Sequence, residues 1–189
     1  MKKFKNKIFL LSSLIIVSQF FFLTCEKNKN NDDIQKSSLT IRDNVIYKNG
    51  SDIPFTGREK ARVENKIIEY DVVDGLKHGN FSVYYESGKI EVKGQIDKNK
   101  NIGKWKYFYE SGQLESEGNF VNNLPEGEWK WYYRSGELRE QGIIKGGKRI
   151  GLWKQFDTSG NVIEEIELFE SDSLSIETDY PEKPKNNLN

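Results

Sequence analysis

A 24-residue period governs the middle of this sequence: Gly79, Gly103, Gly127 and Gly151 fall at that step. Ser87-Gly88, Ser111-Gly112, Ser135-Gly136 and Ser159-Gly160 keep it too, as do Phe81, Trp105, Trp129 and Trp153. Ile90, Leu114, Leu138 and Val162 follow in register, and then Gly94, Gly118 and Gly142. A chain written this way is constrained to fold as a row of equivalent units, each burying its apolar side against the next. The last copy carries Ile166 where the glycine is due, and a shortened first copy, "PFTGREKARVENKIIEY", sets Gly57 22 residues before Gly79. Five units result, the outer two imperfect, as the ends of repeat arrays tend to be.

Within a unit the alternation is that of a strand. Trp105, Tyr107 and Tyr109 project to one face, Lys106 and Phe108 to the other. The second half sets Leu114, Ser116, Gly118 and Phe120 against Glu115, Glu117 and Asn119, and "YESGQ" between the halves has the glycine that a hairpin turn needs. Helices are excluded because all 16 glycines lie between residues 50 and 160 and interrupt every copy. The expected fold is therefore all-β: an elongated antiparallel meander of about five 24-residue β-hairpins over residues 45–169. An isolated hairpin is marginal in water, so neighbouring units, joined through "VNNLPE" or "IDKNKNI", are expected to pair edge to edge. The glycine in each second strand (Gly94, Gly118, Gly142) implies an aromatic ring from a neighbouring strand lying over it.

The flanks differ in kind. Lys2, Lys3, Lys5 and Lys7 precede an apolar run from Ile8 to Leu23 that is too short to cross a bilayer in helical form, so residues 1–24 read as an export signal. Cys25, the only cysteine, stands where the run stops, in an arrangement that resembles a bacterial lipoprotein signal with the cysteine as acylation site. Phe22 and Thr24 depart from the usual Leu and small residue of that signal. Lipidation at Cys25 is the first expectation, ahead of plain secretion with a free thiol or an uncleaved anchor. Residues 25–44 are expected to be a flexible tether and residues 170–189 a disordered tail, both too polar to offset the entropy of ordering. Without a second cysteine no disulfide assists the domain. Loss of the leader leaves 25 basic residues against 29 acidic ones, which argues against nucleic acid as a partner.

Catalytic and metal chemistry find little footing. One His and one Cys cannot assemble a metal site or a nucleophilic triad, so no metal or cofactor is expected. His78 reads as a surface residue, and "KGGKRIG" as an inter-hairpin turn, since it lacks phosphate-loop spacing. Glu115 and Glu117 have the residue types of a glycosidase pair, but they alternate with Lys and Asn as a solvated face does.

The rings carry the sharpest signal. Phe81, Trp105, Trp129 and Trp153 are expected to stack as the core of the array, each burying on the order of 200 Å². Tyr84, Phe108, Tyr132 and Phe156 line the thinner face beside Lys106, Lys130 and Lys154. These seven residues are the candidate binding surface, for a partner protein or a glycan; the alternative role of the lysines is to keep the sheet soluble.

The pattern G-x-W-x-x-Y-Y-x-S-G-x-L-x-x-x-G, running from Gly103 to Gly118 and again from Gly127 to Gly142, resembles the bacterial variant of the MORN repeat, found in proteins labelled YwqK-family antitoxins. The resemblance implies an antiparallel β array and a role in binding proteins or lipids. Taken together, the expectation is a non-enzymatic, membrane-anchored lipoprotein of the cell envelope that scaffolds another envelope protein. A glycan- or peptidoglycan-binding module and an antitoxin that binds a toxin are the alternatives.

Overall fold

The computed structural model describes residues 38–169. Cys25, the leader and the tail fall outside them. Twelve strands follow one another, with no helix among the described residues: β1 (Leu39–Arg42), β2 (Val45–Lys48), β3 (Gly57–Val63), β4 (Lys66–Val73), β5 (Leu76–Tyr84), β6 (Ile90–Asp97), β7 (Lys100–Phe108), β8 (Leu114–Val121), β9 (Leu124–Tyr132), β10 (Leu138–Lys145), β11 (Lys148–Phe156) and β12 (Val162–Leu168). Strands β3 to β12 form a single ten-stranded antiparallel meander in chain order. The hairpin array expected from the period is thus the fold.

Two kinds of turn alternate along it. At one end the links are two residues long: Asp74-Gly75, Lys98-Asn99, Asn122-Asn123 and Gly146-Gly147, all at positive φ (between 47° and 82°), as a type I′ turn requires. "VNNLPE" and "IDKNKNI" therefore contribute only their central pair to a turn. Their outer residues belong to strands, because Asn tolerates the left-handed backbone and lets the chain reverse in two residues. At the other end Glu64-Asn65 joins β3 to β4, and each later link is five residues turning around a glycine; the Gly112 amide donates to the Tyr109 carbonyl (2.8 Å) and the Tyr109 amide to the Gln113 carbonyl (2.9 Å).

One expectation is corrected at the N-terminal side. The tether over residues 25–44 does not extend to residue 44, since Leu39–Arg42 form β1, paired with β2 from Leu39↔Lys48 to Arg42↔Val45. Asp43 and Asn44, at φ 49° and 62°, close that hairpin. It docks on the two-residue turns: the Ile46 amide donates to the Gly75 carbonyl (2.8 Å), and Asn99 Nδ2 to the Asn44 carbonyl (3.1 Å). Ile46, 2% exposed, is the apolar plug of the contact. The polar composition of the stretch concealed a short strand whose stability comes from the repeat turns beneath it.

The core is a chain of rings. Successive centroids from Phe81 to Trp105, Phe120, Trp129, Trp131 and Trp153 stand 5.4–5.7 Å apart. Each glycine of a second strand pairs in register with the ring residue of its own hairpin, as in Trp105↔Gly118, yet lies under the ring of the next one. A Cβ on Gly94, Gly118 or Gly142 would stand 2.1–2.3 Å from the indole of Trp105, Trp129 or Trp153. Close approach of the indole is possible only because that atom is missing. Beside the rings, one cross-strand row reads Ile68, Val83, Val92, Tyr107, Ser116, Trp131, Glu140, Gln155 and Glu164. This face thus turns from buried and aliphatic to polar and increasingly exposed along the array, and near its end Arg149 covers the Trp153 ring at 4.0 Å while pairing with Glu140 at 2.6 Å.

Two hydrogen-bond ladders tie repeat to repeat. The hydroxyls of Tyr85, Tyr109 and Tyr133 donate to the carbonyls of Phe108, Tyr132 and Phe156, each at 2.7 Å. Burial pushes the Tyr85 phenol up to about 12, so it remains a donor at physiological pH. In the fourth copy Asp157 takes the tyrosine's place, and its carboxylate accepts from the Ser159 and Asn161 amides of its own turn, both at 2.9 Å. At the opposite end the Asn99 and Asn123 side chains accept from the Lys77 and Asn101 amides (2.8 and 2.7 Å). At the third such link Gly147, without a side chain, meets Pro125, without an amide hydrogen; the Gly147 amide still donates to the Pro125 carbonyl (3.1 Å), and the Gly146 amide donates to the Glu126 carboxylate (2.7 Å).

Candidate interaction face

Strand alternation places Lys106 and Phe108 on the face opposite Trp105 and Tyr107, and the register lines up equivalent residues across the sheet. One continuous row reads Lys60, Glu69, Ser82, Lys93, Lys106, Glu117, Lys130, Gln141, Lys154 and Glu165. Lys106, Lys130 and Lys154, singled out by sequence, all lie in it, half-buried. None stands alone: Lys106 reaches Glu117 at 3.4 Å, Lys130 reaches Glu128 at 2.9 Å and Lys154 reaches Glu165 at 2.8 Å. The Glu128 carboxylate raises the ammonium pKa of Lys130. Burial pushes the carboxyl of Glu117 up, but the hydrogen bond from Lys104 (2.9 Å) and the two lysine charges outweigh it and hold the group below its usual range. Glu69 is held low as well, first by Lys60, with Tyr84 Oη donating at 3.2 Å.

The candidate rings form the adjacent row. Tyr84, Phe108, Tyr132 and Phe156 are half-buried and pair with Ile90, Leu114, Leu138 and Val162. A one-residue register slip beside each five-residue turn produces that pairing, as where Tyr107↔Ser116 is followed by Phe108↔Leu114. Leu114 is thereby brought opposite Phe108, and Glu115 falls in the bulge. Burial raises the Glu115 carboxyl, with Arg139 and Arg134 opposing. Glu115 and Glu117 consequently occupy different surroundings, one in the bulge and one in the lysine row.

Phe81, Trp105, Trp129 and Trp153 lie on the opposite, buried face, between 0% and 8% exposed. Sequence reasoning overlooked Lys93, which stands 5.4 Å over the Phe108 ring and joins the cation row from a second strand. Its signal was the hairpin register, which pairs it with Ser82 and Lys106. His78 is exposed, with Nδ1 3.0 Å from Asp97. Among the described residues no three His, Cys, Asp or Glu side chains group as metal ligands.

A family model described as the MORN repeat variant matches residues 77–98, 102–122, 125–145 and 149–170, the four full copies of the period. No curated protein matches the chain. Among solved structures, "Crystal structure of accessory secretory protein 1,2 and 3 in Streptococcus pneumoniae" is similar over 75% of this chain at 13% identity, with a TM-score of 0.32. "Crystal structure of GtfA/B complex bound to UDP and GlcNAc" is similar over 70% at 8% identity, with a TM-score of 0.22. The match spans 24% and 29% of those chains.

Proposed function

We propose that this chain, which carries MORN repeats of the variant type between residues 77 and 170, is a non-catalytic envelope module that binds another envelope protein through its ring-and-lysine face. The observation that carries this reading is the row of half-buried rings beside a row of paired charges, laid out at a constant 24-residue step. Half-buried aromatics flanked by ion pairs suit a protein surface of mixed charge, where rings supply contact area and charges set register. Because Lys106, Lys130 and Lys154 already hold carboxylates, the row fits a polyanion or an acidic lipid surface less well. The lipoprotein-type leader motivates attachment to the membrane through Cys25.

The test is a cross-linking capture in envelope extract with the full chain and its Tyr132→Ala and Lys130→Glu variants. A partner retained by the native chain and lost from both variants is the expected outcome; equal capture by all three would overturn the reading. Attachment is tested separately by feeding the host a clickable fatty acid, which should label the chain and not its Cys25→Ser variant. Tryptophan fluorescence titrated with cell-wall fragments distinguishes the glycan alternative.

A further inference from the structure

The two outer strands of the ten-stranded sheet are chemically opposite. On β3 the outward residues Arg58, Lys60 and Arg62 are exposed, alternating with the half-buried Glu59 and Ala61. On β12 Glu164, Glu165 and Glu167 are exposed together with Val162, Ile163 and Ile166. The polar-face row therefore begins with a cation, Lys60, which holds Glu69 at 2.7 Å, and ends with an anion, Glu165, which holds Lys154 at 2.8 Å, so each presents its free side to a further strand. Among the described residues β3 and β12, the terminal strands of the meander, each have one neighbour in the sheet, and an edge strand offers backbone donors and acceptors to a further strand.

We propose that the chain self-associates head to tail, β12 of one copy adding antiparallel to β3 of the next. The direction is fixed by the fold: β12 is an even strand and β3 an odd one, and every even strand from β4 to β10 already pairs antiparallel with the odd strand that follows it. Those four junctions place Glu69 opposite Ser82, Lys93 opposite Lys106, Glu117 opposite Lys130 and Gln141 opposite Lys154. Carried one step further, the same register sets Glu165 opposite Lys60 of the next copy. It also sets Glu164 opposite Ala61; past the bulge that follows each such pair, as where Glu117↔Lys130 is followed by Asn119↔Glu126, Glu167 comes opposite Thr56 and Arg58 falls in the bulge. The contact uses different patches on the two partners, so it does not close into a pair but continues as a chain of copies.

This junction is looser than those inside the array. Ile166 fills the place that Gly94, Gly118 and Gly142 leave to an indole, and Glu59 stands on β3 where the other copies have a ring. Backbone pairing and charge then hold it, without a ring over a glycine. Association of this kind is reversible and salt-sensitive.

The experiment is sedimentation velocity on the full chain in mild detergent over a wide range of concentration. The native chain should show a ladder of species growing with concentration and receding at high salt. K60E and E165K should each weaken association at least tenfold, because each sets like charges against one another at every junction. An equimolar mixture of the two should restore it, since copies that alternate along the chain bring opposite charges together at both kinds of junction. Unchanged circular dichroism verifies folding. A native chain that stays monomeric, a closed dimer indifferent to either reversal, or a mixture that fails to recover would each overturn the proposal.

Discussion

The Tyr109 hydroxyl donates to the Tyr132 carbonyl at 2.7 Å, a bond that joins one hairpin to the next across 23 positions of sequence. Tyr109 is 8% exposed, so removing the hydroxyl leaves a carbonyl in a poorly hydrated place. Tyr109→Phe is expected to cost about 1 kcal/mol, read as a lower urea midpoint at unchanged m-value. Because the ring is retained, a much larger loss would assign the stabilisation to packing instead.

Gly118→Ala tests the seat beneath Trp129. The added Cβ would stand 2.1 Å from the indole, and the backbone of a sheet interior has little room to yield. A loss of roughly 2 kcal/mol or more is expected from overpacking. Trp129→Leu in the same molecule should recover part of that loss, and a double-mutant cycle measures how much.

Glu115 and Glu117 should respond oppositely to amide substitution. Burial raises the Glu115 carboxyl, so its ionised form opposes folding at neutral pH, an opposition relieved as pH falls through the folded value. Glu117→Gln instead removes a carboxylate held low by Lys104 and Lys106, whose contribution is present above the unfolded value and is lost as pH falls through the folded one. At pH 7 thermal unfolding should show Glu115→Gln no less stable than the native chain, and Glu117→Gln less stable by no more than about 1 kcal/mol.

Asp157 predicts a titration signature. Its carboxyl is held below the usual aspartate range by the Asn161 side chain and by the turn amides. The amide shifts of Ser159 and Asn161 should therefore titrate together with a midpoint lower than that of an ordinary aspartate. Whatever stability the turn gains from the carboxylate is present above the unfolded value and fades as pH falls through the folded one. Asp157→Asn should abolish the transition.

Pro125 and Gly147 form a complementary pair. Pro125→Ala creates an amide donor opposite a residue with no side chain, and it loosens the unfolded chain as well; a cost of about 1 kcal/mol is expected. Gly147 sits at φ 82°, a conformation Asn tolerates. Gly147→Asn should recover part of the loss in the alanine background and give no comparable gain beside Pro125.

The period was enough to predict the meander, the strand alternation and the ring above each glycine, because all three follow from local spacing repeated in register. Lys93 was not legible that way: its place beside Phe108 follows from pairing between strands, which a linear pattern does not display. The same holds for the turn tyrosines, whose hydroxyls act on the next copy. β1 escaped notice because Leu39–Arg42 is too short to show alternation, and its support comes from the turns at Gly75 and Asn99. Within the candidate face, sequence located the lysines and rings but not their pairing: Glu117 and Glu165 hold one position of the period, Gln141 stands there in the copy between, and Lys130 turns to Glu128 instead.

Asp157 bends its acceptor back on its own loop, and Ile166 occupies what would have been a vacant groove for an indole. A unit appended after them in the gene would meet neither a donor nor room for its tryptophan. Lengthening by duplication is therefore confined to the interior copies, where each module inherits both a tyrosine and a bare glycine. The number of modules can drift over evolutionary time while the two ends remain the same.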